Sequence, residues 1–124
     1  MLVGHGSKLI NSNEALNRVM ESLQIKEPTT FFQVAYLEIQ PPNIPQGIEL
    51  CLNQGAEEVV VIPYFVQTGK HVVEDIPRIV REAQTRFPKK RIQLGEYMGF
   101  DERLVSLVLD RVHKAQHSSK VNLS

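Results

Sequence analysis

Residues 59–62 read V-V-V-I, set between Glu57-Glu58 and Pro63. Four β-branched residues in a row leave no polar face for solvent, so they belong in a strand covered on both sides. Strands of that kind occur almost only in parallel sheets, where crossover helices lie over both faces. A parallel sheet needs a helix between successive strands, and the rest of the 124 residues supplies them.

Met1–Val3 is a very short apolar run. Asn11 and Glu14 have the spacing of a capping box, and Ala15, Leu16, Val19, Met20 and Leu23 then repeat at helical period. F-F-Q-V-A-Y-L, residues 31–37, is aromatic and β-branched and predicts a strand that stops at Pro41-Pro42. Pro45 suits the first turn of a helix ending at Gly55. A third helix is predicted over Val73–Arg86, with Ile76, Ile79, Val80 and Ala83 inward. Pro77 is tolerated only in a first turn, which moves the expected start toward Asp75 or Ile76. Arg91–Leu94 is a fourth strand. Asp101 is the expected N-cap of a last helix whose stripe is Leu104, Val105, Val108, Leu109 and Val112. The tail from Gln116 has no period.

Four β-α units predict one α/β domain over residues 1–117, with residues 118–124 as a disordered tail. The expected architecture is a three-layer sandwich: a four-stranded, mostly parallel sheet with helices on both faces. Only three residues precede Gly4, short against a usual ~5, so a truncated first strand is expected.

Composition narrows the function. Lys plus Arg number 14 and so do Asp plus Glu, which gives no reason to expect nucleic acid or an anionic membrane as partner. No window approaches ~18 apolar residues and no signal peptide is visible, so a cytoplasmic location is expected. Cys51 is alone, which excludes an internal disulfide, and its setting in E-L-C-L reads as a buried small hydrophobe.

In parallel sheets ligands bind beyond the carboxyl ends of the strands. G-H-G-S-K after the first strand brings His5, Ser7 and Lys8 there; Y-L-E after the second brings Glu38. The segment after the third brings Thr68, Gly69, Lys70 and His71, and the fourth is followed by Glu96. Gly4 and Gly6 leave the backbone free and make room for an approach to His5. Two imidazoles and a carboxylate suit a borderline divalent cation such as Fe, Co, Ni or Zn. Taken singly, a histidine beyond a strand is more often a hydrogen-bonded turn residue, and Glu38 alone can be a solvated strand end; it is the two histidines on one edge, each beside a glycine and a lysine, that raise the metal reading to its equal. Lys8 and Lys70 form a locally basic rim suited to a ligand with several carboxylates. His113 and His117 have the i,i+4 spacing of a helical metal clip, a spacing that also occurs on solvated faces. Other chemistries fit less well. L-V-G-H-G resembles the L-V-R-H-G of histidine phosphatases, but Gly4 stands where an arginine must hold phosphate. A flavin phosphate would want more Ser and Thr than this loop's Ser7.

G-H-G-S, A-Y-L-E-I-Q-P-P-N-I-P, V-V-V-I-P-Y-F-V-Q-T-G-K-H-V-V-E-D-I-P and G-F-D-E-R-L-V, in that order, resemble the small class II tetrapyrrole chelatases. More specifically they are similar to the sirohydrochlorin cobaltochelatase and ferrochelatase family, up to about Val112. The resemblance implies a flavodoxin-like, chelatase-like fold. It also implies insertion of Co²⁺, Fe²⁺ or Ni²⁺ into sirohydrochlorin on routes to cobalamin, sirohaem or related tetrapyrroles. His5 matches the metal-binding histidine and proton acceptor, His71 the second metal histidine, and Glu38 the acidic residue. Pro41 and the loop Val66, Gln67, Thr68, Gly69, Lys70 and His71 fall where substrate contacts are expected, beside Ser7 and Lys8. F-P-K-K-R lacks the histidine-rich loop common in archaeal short forms.

Metal insertion exchanges a divalent cation for two pyrrole protons, so it needs a metal donor and a base. Imidazole serves as both near neutrality. The metal is a substrate, no permanently bound cofactor is expected, and the absence of a G-x-x-x-x-G-K loop argues against ATP. A domain of this size leaves its metal edge open, so a homodimer with the sites turned inward is expected. The competing readings are a carrier that binds metal or tetrapyrrole without turnover, and a half-domain that only supports a partner.

Overall fold

The computed structural model describes residues 1–9, 13–67 and 69–118, with the side chains of His71 and Val72 left aside. Four strands are found: β1 (Leu2–Gly4), β2 (Val34–Tyr36), β3 (Glu58–Pro63) and β4 (Arg91–Leu94). The helices are α1 (Glu14–Lys26), α2 (Ile44–Asn53), α3 (Ile76–Arg86) and α4 (Glu102–Gln116), and a π-helical turn over His71–Asp75 leads into α3. The sheet order is β2-β1-β3-β4 and every neighbouring pair is parallel. The expected sheet is therefore present, and parallel throughout.

Side chains alternate strictly between its two faces. Val3, Ala35, Val59, Val61 and Ile92 point to the side covered by α2 and α3, where Ile44, Ile48, Ile76 and Val80 are buried against them. Leu2, Val34 and Tyr36 point to the other side, where Leu16 of α1 is buried and Val19, Met20 and Leu23 are only partly so. The α3 stripe is as predicted, with Ile76, Val80 and Ala83 buried. Cys51 is buried and burial pushes its thiol pKa up, which keeps it a neutral hydrophobe.

Three expectations are corrected. The strand predicted over 31–37 pairs only at Val34–Tyr36, because its one neighbour, β1, offers just three residues. The predicted α1 cap, Asn11, lies outside the described residues; Asn13 holds the N-cap position without making a side-chain cap bond, and Ala15 is exposed. The third correction is larger. The predicted α4 stripe faces solvent: no residue of α4 is buried, and Val105, Val108, Leu109 and Val112 are all exposed. Asp101 does cap that helix, its side chain accepting from Arg103 N at 2.9 Å.

Pro77 falls at the first turn of α3, as its chemistry demands. It has no N–H to offer the carbonyl four residues back, and the wider π-helical turn before it is where the chain enters the helix. Among the described residues no helix is long and apolar enough to cross a membrane.

Candidate active site at the switch point of the sheet

The connection from β1 runs outward to β2, while those from β2 and β3 run the other way, so the order reverses at β1 and β3. Their carboxyl ends flank the crevice in which sheets of this kind bind ligands. His5 leaves β1 at that point. Leu37 N donates to Gly4 O at 2.9 Å and Glu38 N to His5 O at 3.1 Å, which carries the β1–β2 ladder past both strand ends. Those two bonds set Glu38 beside His5. The side chains meet at 3.0 Å, His5 Nε2 to Glu38 Oε1, each about half exposed at 51% and 48%. From the other flank, past β3, Phe65 presents itself edge-on to the imidazole, with ring centroids 6.4 Å apart and planes at 86°.

An ion pair this exposed adds only ~0–1 kcal/mol, so it is not what holds the loop. Gly6 does more. Its φ of +100° is open to glycine, and a Cβ there would stand 1.9 Å from the Glu38 carbonyl oxygen. Gly4 is filled from the other side, where a Cβ would meet Leu16 at 2.8 Å. The room these glycines leave is therefore taken by the protein's own chain, not held open for a ligand as the sequence had led us to expect. Gln40 completes the clamp: its Oε1 accepts from Ser7 N at 3.0 Å and from the Asn13 amide. Ile39, at φ +75°, and the cis Pro41–Pro42 bond turn the chain back so that Pro42 O accepts from Tyr36 N at 2.8 Å.

The predicted residues separate into groups. His5 and Glu38 are brought together. Ser7 and Lys8 line a hollow of about 760 Å³ with Asn13, Arg18 and Gln40 on the α1 side of the loop. Pro41 lines another, with Gln33, Gln46 and Asn53, that does not include His5. Val66 is exposed and faces Phe100, Leu104 and Val108. Gln67, Gly69 and Lys70 are exposed on the β3 loop, which leads into the π-helical turn beginning at His71. Thr68 and the His71 side chain lie outside the described residues. His113 and His117 are exposed on α4 and at its C-cap. Among the described residues no three His, Cys, Asp or Glu side chains converge. Sequence reasoning missed Phe65, Gln40 and Ile39. Phe65 carries a signal in hindsight, an aromatic two residues past a parallel strand at the switch point; Gln40 and Ile39 carry none.

Nε2 and Oε1 at 3.0 Å have a specific chemical meaning. Two donors each ~2.1 Å from one divalent cation are about 3.0 Å apart when they subtend nearly a right angle. The pair thus has the bite of two adjacent ligands.

The family model described as CbiX matches residues 1–115. A sirohydrochlorin ferrochelatase of Bacillus subtilis is 31% identical over 90% of this chain and 43% of its own length. A sirohydrochlorin cobaltochelatase of Sulfolobus acidocaldarius is 30% identical over 93% of this chain and 89% of its own. The sirohydrochlorin chelatase SirB of Bacillus subtilis subspecies spizizenii, solved in complex with cobalt, superposes with a TM-score of 0.83. It is 32% identical, and the match covers 91% of this chain and 48% of that one. The chain spans less than half of the Bacillus relatives but nearly all of the Sulfolobus one. With sequence, fold and sheet topology in accord over almost its whole length, the chain belongs to the CbiX family.

Proposed function

We propose that this protein inserts a divalent metal, Co²⁺, Fe²⁺ or Ni²⁺, into sirohydrochlorin without ATP. The observation that carries the reading is the 3.0 Å approach of His5 Nε2 to Glu38 Oε1 at the switch point of the sheet. Relatives named for cobalt and iron insertion into sirohydrochlorin support it, the Sulfolobus one over most of its own length.

The incoming metal is held between Nε2 of His5 and a Glu38 oxygen, with His71 as a third ligand from the β3 loop. As the macrocycle's nitrogens displace these donors, two pyrrole protons must leave. One lands on the vacated Nε2, within reach of Glu38 Oε1 at 3.0 Å; the second goes to Glu38 or to water. Phe65 limits rotation of the imidazole between the two states. Ser7, Lys8, Lys70 and the neighbouring N–H groups face a polycarboxylate macrocycle, with Pro41 and Val66–Gly69 as further contacts. The active unit is a cytoplasmic homodimer, since one copy leaves this edge open.

Anaerobic absorbance with sirohydrochlorin and each metal tests this. Wild type accelerates the spectral change well past the metal-only background, and His5→Ala and His71→Ala lose the gain. Glu38→Gln falls by roughly 10- to 100-fold, the range typical when one metal-orienting group is removed. A stoichiometric shift without turnover would make the protein a carrier. Unchanged metal affinity in His5→Ala would reduce it to a supporting half-domain.

A further inference from the structure

The chain makes a strained turn directly after Glu38. Ile39 has φ +75°, and the backbone N–H of Gln40 donates to the Glu38 carbonyl at 2.9 Å, closing a ring across that single residue. Those two features mark the classic γ-turn, which is rare and strained. Among the described residues Ile39 is the only non-glycine residue at positive φ. A β-branched side chain is a genuine outlier there, whereas glycine or asparagine adopts the same conformation readily. The turn has no room to relax, because the Glu38 carbonyl that closes it lies against Gly6, where a Cβ would stand 1.9 Å away.

Strain of this kind persists where the surroundings over-determine it, and it clusters at ligand sites. Packing within the chain does not account for it: Ile39 is 55% exposed and joins neither apolar core cluster. Nor does the setting of Glu38 call for isoleucine. The bonds that place this segment, Leu37 N to Gly4 O, Glu38 N to His5 O and the Gln40 side chain to Ser7 N, use none of its atoms. What isoleucine alone supplies is an aliphatic body in water, one residue from the carboxylate that meets His5 Nε2. On the β3 flank Val66 is exposed to the same degree, 57%, one residue beyond the Phe65 ring that stands edge-on to the imidazole. The His5–Glu38 pair is thus bracketed by one exposed aliphatic side chain on the β2 loop and one on the β3 loop.

We infer that Ile39 is a substrate-contacting residue that meets the apolar face of the tetrapyrrole, and that this contact offsets the strain of the turn. A flat macrocycle whose central nitrogens reach a metal at His5 and Glu38 is much wider than the pair, so it lies across the strand-end loops beside it. Its ring is apolar and its carboxylates are peripheral. An aliphatic side chain next to the pair, with Lys8 and Lys70 on the neighbouring loops, matches that division. The inference rests on the chelatase reading for the identity of the ligand. It adds that the free protein is less stable than its sequence could make it, at the one residue the macrocycle covers.

The experiment compares Ile39→Asn and Ile39→Leu with wild type by thermal melting, by Co²⁺ calorimetry without macrocycle, and by anaerobic absorbance titration of metal-free sirohydrochlorin. Ile39→Asn melts about 2–4 °C above wild type, because asparagine accepts the left-handed conformation. It binds Co²⁺ as wild type does and sirohydrochlorin about 10-fold more weakly, the effect of losing part of one aliphatic side chain's burial. In the insertion assay that loss falls on KM and leaves kcat in place, as removal of uniform binding does. Ile39→Leu keeps both the strain and the contact, so it melts and binds close to wild type. Undiminished sirohydrochlorin affinity in Ile39→Asn overturns the inference and leaves the chelatase reading standing. So does weakened Co²⁺ binding, which makes Ile39 a positioning residue for Glu38, and so does a lower melting temperature, which places the side chain in packing of the free protein. A wild type that binds the macrocycle without inserting metal removes the chelatase reading, and weaker binding by Ile39→Asn then still supports the contact. A wild type that binds no sirohydrochlorin overturns both.

Discussion

The two faces of the sheet are built from the same strands yet are finished to different degrees. On the α2–α3 face Val3, Val61, Ile48 and Ile76 are fully buried, and twelve residues form one continuous core. On the α1 face the buried cluster has four, with Val19, Met20, Leu23 and Ile62 only partly covered. Two helices make the first face and one the second. The stability of the isolated chain therefore resides on one side, and the other is left to be completed.

Truncations measure that asymmetry directly. Ile48→Ala, in α2, leaves a cavity that its packed surroundings cannot close, and costs about 3–4 kcal/mol in denaturant titration. That is a large share of the ~5–15 kcal/mol typical of a domain this size. Leu23→Ala, the corresponding change on the α1 face, costs about 1 kcal/mol, since the side chain is only partly buried. Equal costs for the two variants would break the comparison.

Gly6→Ala acts at the edge where the two faces meet. The added methyl meets the Glu38 carbonyl, and the positive φ strains any side chain, so the loop must move by more than a small adjustment. We expect a loss of ~2 kcal/mol in stability together with loss of Co²⁺ binding by calorimetry, because Glu38 is displaced from His5. A variant that keeps both would show that the 3.0 Å pair does not depend on the turn.

The alternation of elements was legible because each strand carries its own period and each helix its own punctuation: Pro77, Asp101 and Gly55 fall where their backbone chemistry requires. His5 and Glu38 were legible as post-strand residues, since a parallel ladder running one residue past its end brings them together. Their clamp was not. Gln40 reaches Ser7 and Asn13 only because the chain doubles back over Ile39 and Pro41–Pro42, a path no local pattern specifies. The α4 stripe failed in an instructive way. Helical period marks a face as apolar, but does not say what that face meets.

The smallest effect tests how far α4 depends on itself. Without tertiary packing a fifteen-residue helix is marginal, so its cap counts for more than it would on a docked helix. The Arg103 side chain, paired with Asp101 at 2.7 Å, and the Arg103 backbone N–H hold the Asp101 carboxyl well below the usual carboxylate range. A folded-state pKa below the unfolded value means the cap's contribution is complete above ~3.9 and is lost as pH falls through the folded value. Helix content in α4, followed by hydrogen exchange of residues 102–116, therefore holds down to about pH 4 and declines only in stronger acid. The core on the α2–α3 face does not follow it, because α4 opens locally. Asp101→Ala frays α4 at neutral pH in dilute protein. Equal protection in Asp101→Ala and wild type would mean that the cap does not hold α4.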